Sequence, residues 1–525
     1  MTGRDDFVVS QSKTMCDIIE LFREAYLLPM PSVDKRVTEV SRIPQFTRNC
    51  VRWVEQPLES IFYPSRCCNP ETTTIDEGSA LFISVNDIIE NNVCVLERLK
   101  RLSSWKILVL KIDAGTFERR LFTVATRSSA VFLDELRKEF YPLIEFLRAL
   151  LQRNDSLNQT LVLVNECNKH HYSEALNGLL KSVRKDVNTL SYKHIQLAES
   201  ISDTDLLDLI RLENQVADVD VRYRGGKRWI SQLQPISIET EVIKKDELVL
   251  VAIGGAKGIT FSLLEGLSKH HKLHLYIAGR SADNDKDVHT NLERLRKNDI
   301  EVHYRSLDAT DYTVLNRWVG DVKSKHKQID VIINGAGIVA IDRLQDKTLK
   351  KIDNELLNKV IPARNTLEIA IEFDIKRVIN FSSILARYGG TGQSIYSCAN
   401  AMINAMTENF NHKVENATAI SINWPPWDAT GMTANTGILN QLKGFGLSLL
   451  TPKQANAFFT QEVYASDTES VYYADLIDRP FYRFSQGDLE NIGRLLGHSS
   501  INKVNGGLQF SREFNLEQDH YLNDH

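Results

Sequence analysis

Leu248–Thr260, LVLVAIGGAKGIT, is the stretch that decides the fold. Leu248 to Ile253 are apolar throughout, as a strand buried on both faces of a parallel sheet must be. Gly254, Gly255, Ala256, Lys257, Gly258, Ile259 and Thr260 follow, then an amphipathic helix over Phe261–Lys269. Strand, glycine-rich turn and helix start are the context that a phosphate cradle needs. Gly254 permits the tight turn, and Gly258 lets the backbone approach a pyrophosphate at the helix N-terminus. The pattern is G-x-x-x-G-x-T, with Thr260 where a third glycine is usual. A glycine string alone does not separate a cradle from an ordinary turn, so the flanking segments carry the decision.

Working outward, the run Leu273–Ala278 ends in Gly279-Arg280-Ser281. An acidic residue there would bind a ribose 2′-hydroxyl, whereas a cation beside a hydroxyl suits a 2′-phosphate. Arg280 and Ser281 therefore make NADPH the expected dinucleotide, the alternative being a solvated arginine. The strand Glu301–Ser306 leads to Asp308-Ala309, placed to cap an adenine ring. Val331–Asn334 leads into Gly335-Ala336-Gly337, and Asn334 with these small residues lets the adenosine side lie close. Val378–Phe381, Ala419–Asn423 and Ser470–Ala474 complete seven strands alternating with helices, enough for one dinucleotide-binding domain.

The reactive groups are expected in Phe381–Asn400, FSSILARYGGTGQSIYSCAN. Ser382 and Ser383 stand at the carboxyl end of a strand, where open α/β sheets place ligands. Tyr396 follows Ser383 by 13 residues, and Asn400 follows Tyr396 by four, on the same helical face. Such a set suits proton transfer to a carbonyl oxygen. A free tyrosine titrates near pH ~10, so its phenolate form needs stabilising. Lysine often does this at the fourth residue beyond the tyrosine, but that residue is Asn400. Lys359, in the mostly apolar run Asn354–Val360, is the candidate cation. Gly389–Gly392 and Tyr388 read as a substrate-entrance loop.

The first half alternates in the same way. Strands are expected at Ile107–Ile112, Leu161–Val164 and Ile195–Ala198, and helices at Val85–Arg98, Ala130–Gln152, Tyr172–Lys185 and Asp203–Leu212. Val219–Tyr223 and Trp229–Leu233 flank Gly225-Gly226 as a hairpin. After Ile112 the chain reads Asp113–Phe117 with one glycine, which is not a phosphate cradle. A structural domain is the expectation there. FTRNCVRWVEQPL, from Phe46, opens it as a strand; residues 65–80 read as loop.

With 42% apolar and 25% charged residues, the composition is that of a soluble globular protein. A net charge of −5 offers no general attraction to nucleic acid or anionic membrane. No apolar run is long enough to span a bilayer, and no secretory signal opens the chain. The seven cysteines are scattered, with no C-x-x-C pair, so reduced thiols in a cytoplasmic protein and no metal site are expected.

At this point the residues resemble a family, the ketoreductase (KR) domains of polyketide synthases, a branch of the short-chain dehydrogenase/reductase superfamily. Phe381-Ser382-Ser383, Gly389, Gly392-Gln393, Tyr396 and Ala399-Asn400 match its FSSxAxxxGxxGQxxYxxAN pattern, with Leu385 in place of the alanine. Gly337 to Lys359 is 22 residues, the spacing of the displaced lysine in that family. Trp424-Pro425-Pro426-Trp427 with Gly431-Met432 resembles its Trp-Gly-Pro-Trp and Gly-Met segment, and Val221 to Arg228 resembles the end of its structural half. The GGAKGIT form is most similar to polyunsaturated-fatty-acid-type synthase relatives. Val339-Ala340-Ile341 and Tyr388 stand where that family carries its stereochemical fingerprints, and match neither.

The resemblance implies an α/β chain with two Rossmann-like doubly wound parallel sheets. Residues 1–45 would be a linker or docking segment and 46–245 a truncated structural subdomain without cofactor. Residues 246–500 would be the catalytic NADPH-binding subdomain, and 501–525 a linker with the start of a dehydratase-like segment, LEQDHYLNDH. It implies that Ser383 hydrogen-bonds the substrate carbonyl, Tyr396 donates the proton, Lys359 supports the phenolate and cofactor ribose, and Asn400 holds the relay geometry. Pro425 joins the cofactor contacts; Gln393, Trp427 and Met432 would face substrate. The expected activity is reduction of a β-ketoacyl thioester carried on the phosphopantetheine of an acyl carrier protein, beside neighbouring synthase domains that include a dehydratase. The rivals are a non-reducing domain of the same fold, an epimerase or scaffold, and a stand-alone reductase of small ketones. The complete set Lys359, Ser383, Tyr396 and Asn400 argues against the first; the large non-catalytic half argues against the second.

Overall fold

A computed structural model describes residues 46–56, 80–85, 87–89, 107–112, 129–152, 159–165, 171–187, 190–216, 218–236, 247–297, 300–338, 340–428, 449–465, 469–473, 498–501 and 508–511. Several expectations lie outside these residues. They are the helical segment Thr14–Tyr26, all but the start of Val85–Arg98, Asp113–Phe117, Met432 and the dehydratase-like tail.

In chain order the first half comprises β1 (Thr47–Glu55), β2 (Ala80–Ser84), β3 (Ile107–Ile112), α1 (Ser129–Leu151), β4 (Gln159–Asn165), α2 (His171–Asp186), β5 (Leu190–Leu197), α3 (Asp203–Glu213), β6 (Asp220–Arg224) and β7 (Lys227–Pro235). The second comprises β8 (Glu247–Ile253), α4 (Gly258–Leu267), β9 (Lys272–Gly279), α5 (Lys286–Arg296), β10 (Glu301–Ser306), α6 (Tyr312–His326) and β11 (Val331–Asn334). It continues with α7 (Leu349–Glu372), β12 (Arg377–Ser383), α8 (Ser394–Lys413), β13 (Thr418–Trp424), α9 (Pro452–Glu462) and β14 (Glu469–Tyr473). A small antiparallel pair, β15 (His498–Ile501) and β16 (Leu508–Ser511), stands apart from the main sheet.

The two parallel sheets are present, and they are one hydrogen-bonded surface. Fourteen strands run in the order β10-β9-β8-β11-β12-β13-β14-β1-β7-β6-β5-β4-β3-β2. The join is β1, antiparallel to β14 on one side and to β7 on the other. In the second half the strand order reverses between β8 and β11, which opens the crevice that α/β sheets use for ligands. In the first half β2 to β6 follow one another without reversal, so no such crevice forms between its described parallel strands.

Local chemistry accounts for most elements. β5 is buried along its whole length, as its central place between β4 and β6 requires. The β6–β7 hairpin turns on Gly225 and Gly226, both left-handed at φ 58° and 70°. α9 starts with a capping box in which Thr451 and Gln454 satisfy each other's backbone N–H. β2 is a strand that the sequence does not separate from its surroundings: ALFIS is five residues and runs straight into a helical start. Helix α4 begins at Gly258, three residues before Phe261, because Gly258 itself takes the last left-handed turn (φ 63°).

One hydrophobic core crosses the two halves. Phe140, Leu147 and Leu179 of the first half pack in a continuous cluster with Leu367, Ile403 and Met406 of the second. Helices α2 and α8 touch at Gly178, where a Cβ would meet Ala401 Cβ and Ser397 O at 2.9 Å each. Among the described residues no helix is long and apolar enough to cross a membrane.

Candidate active site

The crevice beside β8 is lined first by the glycine turn. Gly254 is left-handed (φ 76°), and a Cβ there would stand 2.9 Å from Ala336 N, so the turn after β8 lies directly on the turn after β11. Lys257 is the N-cap of α4 and supplies no side-chain cap bond. The first-turn N–H groups of α4 are thus not taken up by the cap residue. Lys257 Nζ instead pairs with Asp285 Oδ2 at 2.7 Å, and Asn291 Nδ2 donates to Ala256 O at 3.0 Å, so α5 braces the turn from outside. Thr260 replaces a packing glycine, and Gly335 makes the room: a Cβ on Gly335 would fall 2.1 Å from Thr260 Oγ1. The glycine needed for close helix–strand approach has moved to the facing turn.

The other expected cofactor residues sit along the same edge. Arg280 is exposed and donates to Asn358 Oδ1 at 2.8 Å, beside Lys359 on α7. Ser281 O accepts from Tyr304 at 2.7 Å. Asp308 Oδ1 accepts from Thr310 N and Thr310 Oγ1, each at 2.9 Å, so the carboxylate shapes its own turn. Asn334 donates to Asn380 Oδ1 at 3.2 Å and accepts from Ala336 N at 3.3 Å, which folds the Gly335–Gly337 turn.

The four candidate reactive residues come together. Lys359 Nζ is 6.0 Å from the centroid of the Tyr396 ring and donates to Phe381 O at 2.9 Å. Gly337 leaves space for that lysine, since a Cβ there would lie 2.6 Å from Lys359 Cδ. Ser383 Oγ accepts from Leu385 N at 3.2 Å, and Asn400 Nδ2 donates to Tyr396 O at 2.7 Å. Lys359 is 5% and Tyr396 6% exposed. Burial pushes the Tyr396 phenol up to about 12; Asn400 and Ser383 act against this, and the nearby charge of Glu355 adds to it. Burial draws Lys359 down to about 8.

Helix α8 is held over β12 and β13 by three polar rungs. Ser382 Oγ donates to Asn400 O at 3.2 Å, Asn404 Nδ2 to Asn423 Oδ1 at 2.9 Å, and Asn380 Nδ2 to Thr407 Oγ1 at 3.0 Å. The Gly389–Gly392 loop is held by the first half. Gly390 N donates to Ser182 Oγ at 3.0 Å, Gly392 N to Asp186 Oδ1 at 2.7 Å, and Lys185 Nζ to Gly389 O at 3.0 Å. Ser182 Oγ donates in turn to Ser397 Oγ at 2.8 Å, next to Tyr396. Sequence reading missed Ser182, Lys185 and Asp186, because their partners lie some two hundred residues away and no periodicity connects them.

The structure also places four further residues singled out in the sequence. Tyr388 borders the small cluster of Ile384 and Val471, as do Val51 and Leu233 of the joining strands. Trp427 is 1% exposed and meets Trp424 edge-on at 5.4 Å, so it braces the segment after β13 from within the core. Pro425 is likewise buried, while Gln393 is half-buried and serves as the N-cap of α8.

The family model described as KR domain matches residues 249–429. Polyketide synthase PksN of Bacillus subtilis (strain 168) is 27% identical over 317 residues, covering 58% of this chain and 6% of that protein. Probable polyketide synthase 42 of Dictyostelium discoideum is 23% identical over 323 residues, 57% of this chain and 12% of its own. The chain thus spans a small fraction of either relative. Among solved structures, an N-terminal ketoreductase from the macrolactin assembly line superposes with a TM-score of 0.65 at 18% identity, covering 91% of this chain and 99% of its own. A ketoreductase domain from the bacillaene assembly line gives 0.62 at 19% identity, with 82% and 97% covered. Residues 249–429 match the KR domain family model, and the chain is similar in sequence and fold to ketoreductase domains of polyketide synthases.

Proposed function

We propose that this chain reduces a β-ketoacyl thioester to the β-hydroxyacyl thioester, with NADPH as reductant and an acyl carrier protein as bearer of the chain. The supporting observation is the meeting of Lys359, Ser383 and Tyr396 in one buried corner at the sheet's carboxyl edge. The glycine turns fit a dinucleotide: Gly254, Gly255, Ala256, Lys257, Gly258 and Ile259 would hold the pyrophosphate by backbone N–H groups. Arg280 and Ser281 would hold a 2′-phosphate, Asp308 and Ala309 the adenine, and Asn334 to Gly337 with Pro425 the remaining length. Bound there, the cofactor supplies the hydride.

The chain's own residues then manage the proton. Ser383 Oγ donates a hydrogen bond to the keto oxygen and orients it. Tyr396 transfers its phenolic proton to that oxygen as negative charge develops. The Lys359 ammonium stabilises the phenolate left behind, and Asn400 holds the helix turn that aims Tyr396. Residues 46–245 act as scaffold to the catalytic 246–500, with 1–45 as a linker or docking segment and 501–525 leading towards a dehydratase-type neighbour.

The test is turnover of a model β-ketoacyl thioester with each nicotinamide cofactor. Tyr396→Phe should lose about 100-fold or more in kcat while still binding NADPH. Near-normal turnover by that variant would remove Tyr396 as the acid. Equal efficiency with NADH would undo the part given to Arg280. Cofactor binding with no ketone-dependent oxidation would favour the epimerase or scaffold reading.

A further inference from the structure

One turn from Lys359 on α7 lies a buried ion pair outside the four candidate reactive residues. Lys347 follows the 3-10 turn Leu344–Asp346, and Glu355 stands on α7 one turn before Lys359. Their side chains are 0% and 1% exposed, and Lys347 Nζ donates to Glu355 Oε2 at 2.6 Å. Lys347 also donates to Ala340 O at 2.8 Å, and Glu355 Oε1 accepts from Ala340 N at 3.4 Å. Both polar groups of Ala340 are therefore tied to the pair. The same loop reaches the entrance, where Asp342 N donates to Gly392 O at 3.0 Å and Ile341 lies against Gly392.

A fully buried Lys–Glu pair is a poor device for stability, since well-packed apolar residues do as well or better. Its position points to the site. Glu355 and Lys359 are four apart and share a helical face. The Glu355 charge is felt at Tyr396, where it opposes phenolate formation. The other charged groups around this corner are Lys359 on α7, Asp342, Arg343 and Asp346 in the loop, Lys351, which pairs with Asp342, and Asp186 at the end of α2, which feels Arg343, Asp346 and Lys347. Ser383 and Asn400 are the neutral groups acting on Tyr396.

We propose that Lys347 and Glu355 are a positioning pair for Tyr396: Glu355 supplies a negative charge one helical turn from Lys359, and Lys347 balances that charge while both pin Ala340 in the entrance wall. The inference rests on the reading of Tyr396 as proton donor.

The test is the pH dependence of thioester-linked alcohol oxidation with NADP+, in which the phenolate is the active form and activity rises along an acid limb. Glu355→Gln leaves Lys347 uncompensated, so the limb should move down by about one pH unit. Lys347→Met leaves the carboxylate unbalanced, so the limb should move up by a similar amount. The double variant should return it close to its original place. Single variants that shift the limb in the same direction, or not at all, while Tyr396→Phe is inactive, would overturn the pair's role. Turnover retained by Tyr396→Phe would overturn the donor assignment and this inference with it. If Lys347→Met does not fold, Glu355→Gln and the double variant carry the same expectations.

Discussion

Lys359 keeps its ammonium against Phe381 O in a corner that burial has made dry. The folded chain therefore binds that proton less tightly than the unfolded chain does, with a value of about 8 against an ordinary lysine. Between about 8 and the ordinary lysine value near ~10.4 the unfolded state holds more protons, so this group's contribution to stability rises with pH across that window. Below it the buried charge costs stability in full. Lys359→Met should raise Tm at pH 7 by about 2–4 °C and flatten the stability gain between pH 8 and 10. The same variant should lose about 100-fold or more in reduction rate. Calorimetry across pH and a turnover assay read both outcomes; a lower Tm at pH 7 would contradict the account.

At the scale of elements, α2 is the support on which the Gly389–Gly392 loop and α8 rest. Gly389 is left-handed (φ 68°), and a Cβ there would sit 2.6 Å from Lys181 C and Ser182 N. Gly389→Ala therefore meets strained backbone and a wall of backbone atoms at once. It should destabilise by about 1–3 kcal/mol and lower kcat, because the loop leading into Tyr396 must move. Gly178→Val wedges α2 away from α8 at Ala401 and Ser397, at a cost of about 1–3 kcal/mol. That variant carries no change in any reactive residue, so a fall in kcat would show that helix separation alone disturbs the site. Urea unfolding and turnover measured together distinguish the two effects.

For the whole molecule, β1 makes one sheet from two halves. Arg48 of β1 pairs with Glu462 at the end of α9 through Nε and Nη2, at 2.8 and 3.1 Å, with both side chains buried. Tyr472 of β14 donates to the same carboxylate at 2.6 Å. Arg48→Met leaves a buried, unbalanced carboxylate and should cost about 3–5 kcal/mol. Arg48→Met with Glu462→Met should recover most of that loss, and chemical denaturation of both variants is the check. A single variant as stable as the parent chain would mean that this pair does not secure the seam.

The sequence by itself determined the parallel α/β architecture, the glycine turn from Gly254 to Gly258, and the candidate set Lys359, Ser383, Tyr396 and Asn400. These are legible because each depends on short-range pattern: apolar runs, glycines where the backbone must turn left-handed, and fixed spacing along a strand or helix. Nothing in the sequence singles out Glu355, since its pairing with Lys347 is a tertiary contact. Only the tertiary structure decided that the two sheets are one, that Gly335 makes room for Thr260, and that Ser182, Lys185 and Asp186 hold the entrance loop. It also placed Tyr388 against the Ile384 and Val471 cluster and Trp427 in the core. Those contacts join residues distant in the chain, and what selects them is which surfaces fold together and exclude water, a property of the whole packed sheet and not of any one segment.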